Sequence, residues 1–264
     1  MTTPTPEDTK ACCAAAYGSD VAAMLLGDSY HPGGMALTRR LAGQLALPPG
    51  SAVLDIASGP GTTALLLARE LGVRVEGVDL SAANVALARG AADYAGLADR
   101  VTFTVGDAER LPHPDAPYDA VVIECAFCTF PDKRAAVSEI ARVLRTGGRL
   151  GLADVLVDPD SLPAELTTVA ARIACIADAM PMTGYAELLE AAGLRVTHTE
   201  PHDEALSRMI DQIEARLTVV RLTAGDRLQT SGIDLDSVGP TLAAARKAVA
   251  DGVLGYGMLV AEKS

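Results

Sequence analysis

Apolar residues recur along the chain at two spacings, which separate an N-terminal helical segment from a longer segment of alternating elements. Residues 6–26 and 35–47 carry apolar side chains at helical intervals, and each stretch predicts a helix. The polar, glycine-rich residues 29–34 break the pattern, and Pro48-Pro49-Gly50 ends it. We therefore predict a helical N-terminal cap over residues 1–50.

From residue 51 onward, short apolar runs alternate with helical stretches in steps of about 25 residues. The predicted strands are Ala52–Ile56, Arg74–Val78, Val101–Val105, Ala120–Ile123, Arg149–Ala153, Arg195–Thr199 and Tyr256–Ala261. The predicted helices between them are Thr62–Leu71, Ala82–Ala95, Lys133–Leu144 and Tyr185–Ala192.

Strand–helix–strand units of this length imply right-handed crossovers and a parallel sheet. The prediction for residues 51–264 is therefore an α/β domain with a doubly wound, seven-stranded, mostly parallel, Rossmann-like sheet. Helical insertions are expected at about 155–182 and 203–250. Together with the N-terminal cap, they are expected to form a lid over the ligand edge of the sheet.

Composition indicates which kinds of partner to expect and in which cellular compartment the protein lies. The net charge is −12, whereas a protein that neutralises a phosphate backbone needs a basic face, so a nucleic-acid partner is not expected. No apolar run approaches the roughly 20 residues that span a bilayer, so no membrane partner is expected either. The polar start of the chain lacks a signal peptide's apolar core, which predicts a cytoplasmic protein with five reduced cysteines. The sequence gives no indication of oligomeric state.

The strongest local motif is a glycine turn after the first predicted strand. Val53-Leu54-Asp55-Ile56 leads into Ala57-Ser58-Gly59-Pro60-Gly61 and then into a helix. Glycines let the backbone approach a ligand, and the helix N-terminus offers free N–H groups. Taken alone, this turn also satisfies the dinucleotide fingerprint, so by itself it predicts only a nucleotide-type site.

Acidic residues stand at the carboxyl ends of the next three predicted strands. Asp79 can accept hydrogen bonds from ribose hydroxyls, Asp107 within Gly106-Asp107-Ala108 can meet an adenine amino group, and Glu124 ends the fourth strand. Each has a structural alternative: Asp79 near a helix cap, Asp107 in a turn and Asp55 bracing the glycine loop. Because all lie at one sheet edge in the right order, they jointly favour a nucleotide-type cofactor.

These motifs resemble those of the class I S-adenosylmethionine (SAM)-dependent methyltransferases. The resemblance rests on Asp55-x-x-x-Gly59-x-Gly61, Asp79, Gly106-Asp107-Ala108 and Arg142 to Arg149, and it covers about residues 51–155. It implies that Gly59 and Gly61 flank the methionine moiety, that Asp79 holds the ribose, and that Asp107 and Ala108 contact the adenine. The full predicted cofactor-binding set is Asp55, Ser58, Gly59, Gly61, Asp79, Leu80, Gly106, Asp107, Ala108 and Glu124.

Histidine and cysteine positions bear on the methyl acceptor. His31 lies in the glycine-rich break and either caps the cofactor pocket or occupies a surface loop. Cys125 follows Glu124 directly, Cys128 follows at C-x-x-C spacing, Cys175 falls in the first insertion, and Cys12-Cys13 lies in the N-terminal segment. Thiols from three segments can converge on one soft ion. The alternative is that each cysteine is an inert core residue.

A closer resemblance favours the interpretation that the cysteines bind one soft ion together. Residues 123–130, 139–154, 175–180 and 185–194, together with Ala11-Cys12-Cys13, resemble the corresponding stretches of arsenite methyltransferases. In that family thiolates bind trivalent arsenic, whose lone pair attacks the SAM methyl group without a general base. Carried over, Cys125 and Cys175 would be catalytic metalloid ligands, and Cys13 or Cys12 would be the third.

The leading hypothesis from sequence is therefore a SAM-dependent methyltransferase acting on a thiol-bound trivalent arsenic species. The alternative within the same class is a small-molecule O-, N- or C-methyltransferase of natural-product type, with the cysteines lining the pocket. From other classes, a nicotinamide oxidoreductase would use the same glycine turn, and a non-catalytic thiol sensor would bind a soft metal without methyl transfer.

Overall fold

The computed structural model describes residues 5–27, 29–168, 175–223 and 235–264. The N-terminal segment forms helices α1 (Pro6–Tyr17), α2 (Asp20–Leu26) and α3 (Gly34–Leu45). The single helix predicted over 6–26 is thus two helices. Gly18 ends the first, and the Ser19 side chain starts the second by accepting a hydrogen bond from the Ala22 N–H.

Seven strands and six further helices follow among the described residues. The strands are β1 (Ala52–Ile56), β2 (Arg74–Asp79), β3 (Val101–Val105), β4 (Tyr118–Glu124), β5 (Leu144–Val157), β6 (Leu194–Pro201) and β7 (Leu254–Lys263). The helices are α4 (Thr62–Leu71), α5 (Ala82–Tyr94), α6 (Lys133–Val143), α7 (Met182–Ala191), α8 (Asp203–Thr223) and α9 (Leu235–Ala250).

The strands form one sheet in the order β3-β2-β1-β4-β5-β7-β6. Neighbours from β3 to β5 pair in parallel, whereas β7 runs antiparallel to both β5 and β6. Buried apolar clusters cover both faces of the sheet, as expected for a doubly wound α/β fold. The predicted fold class is confirmed.

Strand order reverses between β1 and β4, because the chain winds outward to β3 and then returns to β4. In open α/β sheets a crevice forms beside the carboxyl ends of the strands at such a switch point. The glycine turn after β1 and Glu124 at the end of β4 both lie there. The topology therefore concentrates the predicted site residues at one edge.

The first insertion differs from the prediction. β5 continues to Val157 because it pairs with β7 from Arg149 onward, so the first predicted helical residues are strand. The described residues 158–168 and 175–181 contain a 3-10 turn at Ala164–Leu166 but no α-helix, and residues 169–174 lie outside the described part. The second predicted insertion contains α8 and α9, with residues 224–234 outside the described part. None of the described helices is long and apolar enough to cross a membrane.

Candidate active site

A cavity of about 1080 Å³, partly open to solvent, lies at the switch point between β1 and β4. Nine of the ten predicted cofactor-binding residues line it: Asp55, Ser58, Gly59, Asp79, Leu80, Gly106, Asp107, Ala108 and Glu124. The predicted ligand edge thus holds one continuous space.

Buried carboxylates organise the floor of this cavity. The Asp79 carboxylate accepts hydrogen bonds from the Gly59 N–H (2.8 Å) and the Ser81 N–H (2.8 Å), which ties the glycine turn to the end of β2. Burial raises the pKa of Asp79 and raises that of Asp55 well above its usual range. Oδ2 of Asp55 and Oγ of Ser58 are buried without a hydrogen-bond partner among the described residues. SAM carries amino and hydroxyl donors and two cationic centres. The unpartnered oxygens and the acidic side chains of this wall therefore fit SAM.

Gly61 is the exception among the predicted contacts, because it does not line the cavity. Its φ is +86°, and a Cβ there would lie 2.6 Å from Cζ of Phe103 and 3.0 Å from Cβ of Ala88. The structure therefore gives Gly61 a packing role beneath the turn rather than a place in the cavity wall.

Helix α1 closes one side of the cavity, and among its lining residues only Cys13 is a predicted site residue. Lys10, Cys13, Ala14 and Tyr17, spaced along one helix face, line the space. The Lys10 ammonium lies 2.8 Å from Asp107 and 2.5 Å from Glu109. Burial alone would raise the pKa of Asp107, but Lys10, the Glu109 N–H and Arg110 together outweigh burial and lower the pKa. Lys10 and Tyr17 are seven residues apart on one helix face, but no local pattern relates Lys10 to Asp107.

His31 and Glu124 form a buried pair on the cavity wall. Nε2 of His31 lies 3.5 Å from Oε2 of Glu124, and their side chains are 5% and 4% exposed. The Thr38 hydroxyl lies 3.3 Å from Nε2 and 3.0 Å from Oε2, and the Thr63 hydroxyl donates to Oε2 at 2.7 Å. Two alternatives were open for His31, a place at the cofactor pocket or in a surface loop. The structure supports the first, because His31 is buried and lines the cavity.

The tautomer of His31 follows from its other ring nitrogen. Nδ1 lies 3.2 Å from the carbonyl oxygen of Pro32. A carbonyl oxygen only accepts, so Nδ1 donates to Pro32. In the neutral ring Nε2 then accepts from the Thr38 hydroxyl, whose single hydrogen turns to Glu124 when Nε2 is protonated. The ring can therefore take a proton on the side that faces Glu124. Thr38 and Thr63, which orient that carboxylate, carry no local sequence signal.

The cysteines are only partly brought together at the cavity. Cys13 and Cys125 line it, Cys175 and Cys128 are buried, and Cys12 is exposed and not part of the lining. Of the two predicted candidates for a third ligand, the structure therefore favours Cys13, because α1 turns Cys12 toward solvent. No group of three or more His, Cys, Asp or Glu side chains in the described part of the chain is arranged to hold a metal ion.

The Cys175 thiol is nevertheless the centre of a hydrogen-bonded cluster. It interacts with the Cys125 and Cys128 thiols, which lowers the pKa of Cys175, and its sulfur lies 3.1 Å from the Tyr17 hydroxyl. Both Cys125 (φ +55°) and Cys175 (φ +65°) have left-handed backbone, which non-glycine residues seldom adopt. Strain of this kind concentrates at functional sites.

Comparison with known proteins identifies relatives along most of the chain. A family model described as a methyltransferase domain matches residues 53–148. The 27-O-demethylrifamycin SV methyltransferase of Amycolatopsis mediterranei is 32% identical over 231 residues, which cover 86% of this chain and 82% of that protein. The arsenite methyltransferase of Halobacterium salinarum is 30% identical over 178 residues, covering 63% of this chain and 43% of that protein.

A solved structure extends the likeness to the whole chain. The geranyl diphosphate C-methyltransferase of Streptomyces coelicolor A3(2), in complex with Mg²⁺, geranyl diphosphate and S-adenosyl-L-homocysteine, matches with a TM-score of 0.73. Its sequence is 19% identical, and the match covers 100% of this chain and 99% of that chain. At this identity the match establishes the fold.

Proposed function

Because the chain belongs to the class I SAM-dependent methyltransferases, we propose that it methylates a hydroxyl oxygen of a small organic molecule, with His31 and Glu124 as the proton-accepting pair. The observation that carries this proposal is the buried contact between His31 and Glu124 on the wall of the predicted cofactor cavity. A hydroxyl acceptor has to lose a proton as it is methylated, and an imidazole beside a carboxylate is suited to accept it.

SAM, when bound, supplies a methyl group activated by its sulfonium. The residues of this chain would then align the acceptor and handle its proton. As the new carbon–oxygen bond forms and the carbon–sulfur bond breaks, the hydroxyl proton would pass to Nε2 of His31. Glu124, held by the hydroxyls of Thr38 and Thr63, would stabilise the resulting imidazolium across the 3.5 Å contact.

The test compares three acceptors whose reacting atoms differ. Purified enzyme and SAM are incubated separately with 27-O-demethylrifamycin SV, demethylmenaquinone and arsenite with a thiol reductant, and methylated products are measured by mass spectrometry. We expect turnover of the oxygen acceptor. His31→Gln is expected to lower kcat about 10²- to 10⁴-fold, and Glu124→Gln about tenfold or more, with the SAM dissociation constant of His31→Gln within a few-fold of wild type.

Arg134→Gln, on the exposed face of α6, serves as the control and is expected to keep wild-type kcat. Full turnover by both His31→Gln and Glu124→Gln would reject the proton-accepting pair. Methylation of demethylmenaquinone or arsenite, without methylation of the oxygen acceptor, would reject the acceptor class.

A second candidate function rests on the cysteine cluster. We propose as the alternative that a trivalent arsenic species is the acceptor, with Cys125 and Cys175 as its ligands and Cys13 as the third. In support, the lowered pKa of Cys175 favours its thiolate, and Cys13 and Cys125 line the same cavity. An arsenic lone pair needs no base, so the two functions predict opposite effects of the variants. If arsenite is the acceptor, Cys125→Ser and Cys175→Ser lose arsenite turnover, whereas His31→Gln retains it.

A further inference from the structure

A second cavity, a solvent-open cleft of about 850 Å³, lies between the segment joining α2 to α3 and helix α8. His31 lines both cavities although it is only 6% exposed. None of the predicted cofactor-binding residues lines the second cavity. His31 is therefore part of the wall that the two cavities share.

Helix α8 turns one face toward this space. Ala205, Arg208, Met209, Gln212 and Arg216 line the cavity at helical spacing. On the adjoining face Leu206, Ile210 and Leu217 are buried and anchor the helix. Because the anchoring residues lie on a different face, the side chains of Arg208, Met209 and Gln212 are not required for packing of the core.

The two arginines of this wall have different tasks. Arg216 donates hydrogen bonds to the carbonyl oxygens of Leu25 and Leu26, so its guanidinium holds the end of α2. Arg208 has an exposed partner, Glu204, at 3.3 Å, and such a pair contributes little. Its guanidinium, 63% exposed at the side chain, is therefore available to a ligand.

The charge of this wall is opposite to that of the molecule. The chain carries a net charge of −12, yet the described residues that line the second cavity include two arginines and no carboxylate. A planar guanidinium recognises carboxylate, sulfonate or phosphate groups with two parallel hydrogen bonds. Met209 beside it offers an apolar surface.

We propose that the second cavity binds the distal part of an elongated, amphiphilic acceptor and that Arg208 selects an anionic group on it. This inference rests on the proposed function, since it assigns the acceptor's reacting hydroxyl to His31. It adds a substrate class, a hydroxylated organic acid, and a specificity-determining residue outside the cofactor cavity.

The test uses two fluorescent probes with the same ring system. 1-Anilinonaphthalene-8-sulfonate is anionic, and N-phenyl-1-naphthylamine is its neutral counterpart. Both are titrated into the full chain with the cofactor cavity saturated by S-adenosyl-L-homocysteine. We expect the anionic probe to bind more tightly than the neutral one, and Arg208→Gln to weaken the anionic probe about fivefold or more while leaving the neutral probe unchanged.

Two further variants sharpen the result. Met209→Trp is expected to weaken both probes by filling the cavity, and Arg195→Gln, on the exposed side of β6, is expected to change neither. Equal affinity of wild type and Arg208→Gln for the anionic probe, or loss of probe binding when S-adenosyl-L-homocysteine is present, would overturn the proposal. The probes need no methyl transfer, so their binding is tested independently of the His31 variants.

Discussion

Gly61 has no room for even a methyl group. A Cβ at this position would lie 2.6 Å from Cζ of Phe103 and 3.0 Å from Cβ of Ala88, on a backbone with φ of +86°. Gly61→Ala is therefore expected to lower the free energy of unfolding by about 2–4 kcal/mol, through backbone strain and overpacking together. Urea denaturation followed by circular dichroism measures this change.

Gly50 provides the matched control for Gly61. Its φ is +85°, but a Cβ there would meet nothing within 4 Å. Gly50→Ala is expected to lower the free energy of unfolding by only about 1–2 kcal/mol, from strain alone. If both variants lowered the free energy of unfolding equally, the clash with Phe103 would contribute nothing to the destabilisation.

The site residues that can be predicted from sequence are those that lie at the ends of predicted strands. Asp55, Asp79 and Glu124 reach the cavity because each stands at or near the carboxyl end of a strand that converges on one edge. Thr38 and Lys10 could not be found in this way. They meet Glu124 and Asp107 only after the N-terminal helices have packed, and no local pattern encodes that contact.

At the scale of elements, α1 is held over the cavity by a few polar contacts. The Lys10 side chain is 15% exposed and lies between Asp107 and Glu109. Lys10→Gln would leave these two carboxylates without their cation, so α1 is expected to detach more readily. Amides of residues 6–17 should exchange with deuterium about tenfold faster, as measured by mass spectrometry.

The control for Lys10 is Lys247→Gln on α9, whose ammonium pairs with the exposed Asp251. This variant is expected to leave exchange in α1 unchanged. Unaltered exchange of residues 6–17 in Lys10→Gln would mean that other contacts of α1, such as Tyr17 against Cys175, suffice to hold the helix.

Element prediction succeeded where local periodicity and tertiary pairing agree. Three elements, Ala52–Ile56, Thr62–Leu71 and Val101–Val105, have the predicted bounds because turns end them on both sides. β5 is longer than its apolar run, because the antiparallel partner β7 extends the ladder to Val157. Sheet pairing between residues a hundred positions apart leaves no mark in local spacing.

For the whole molecule, the fold is easier to predict than the acceptor. The glycine turn and the strand-end carboxylates lie within residues 53–148, which match the methyltransferase-domain model, and they line the predicted cofactor cavity. Under the proposed function, the choice of acceptor depends on α1, on the segment before α3 and on α8, which line the cavities from outside the sheet. The resemblance to arsenite methyltransferases covers the cysteines and the stretches 123–130, 139–154, 175–180 and 185–194, but it does not account for the buried pair of His31 and Glu124.

Global stability is expected to depend on pH through Asp154, a fully buried carboxyl beneath the cysteine cluster. Burial, followed by the charge of Cys175, raises its pKa from 3.8 to about 7. Between these values the folded state binds a proton that the unfolded state has released, so stability falls as pH rises from about 4 to about 7. A shift of this size corresponds to about 4 kcal/mol.

Asp154→Asn should remove this contribution to the pH dependence of the free energy of unfolding. Relative to wild type, its free energy of unfolding is expected to increase by about 4 kcal/mol between pH 4 and pH 8. Its absolute stability at acid pH should be slightly lower, because the N–H groups of Cys128 and Val155 each meet a different oxygen of Asp154. Both oxygens of a neutral carboxyl group can accept, whereas the NH2 group of Asn cannot. Asp99→Asn, an exposed change of equal charge, corrects for the overall charge of the molecule. Parallel stability–pH curves for wild type and Asp154→Asn would show that Asp154 is ionised throughout, and that the N–H groups of Cys128 and Val155 outweigh its burial.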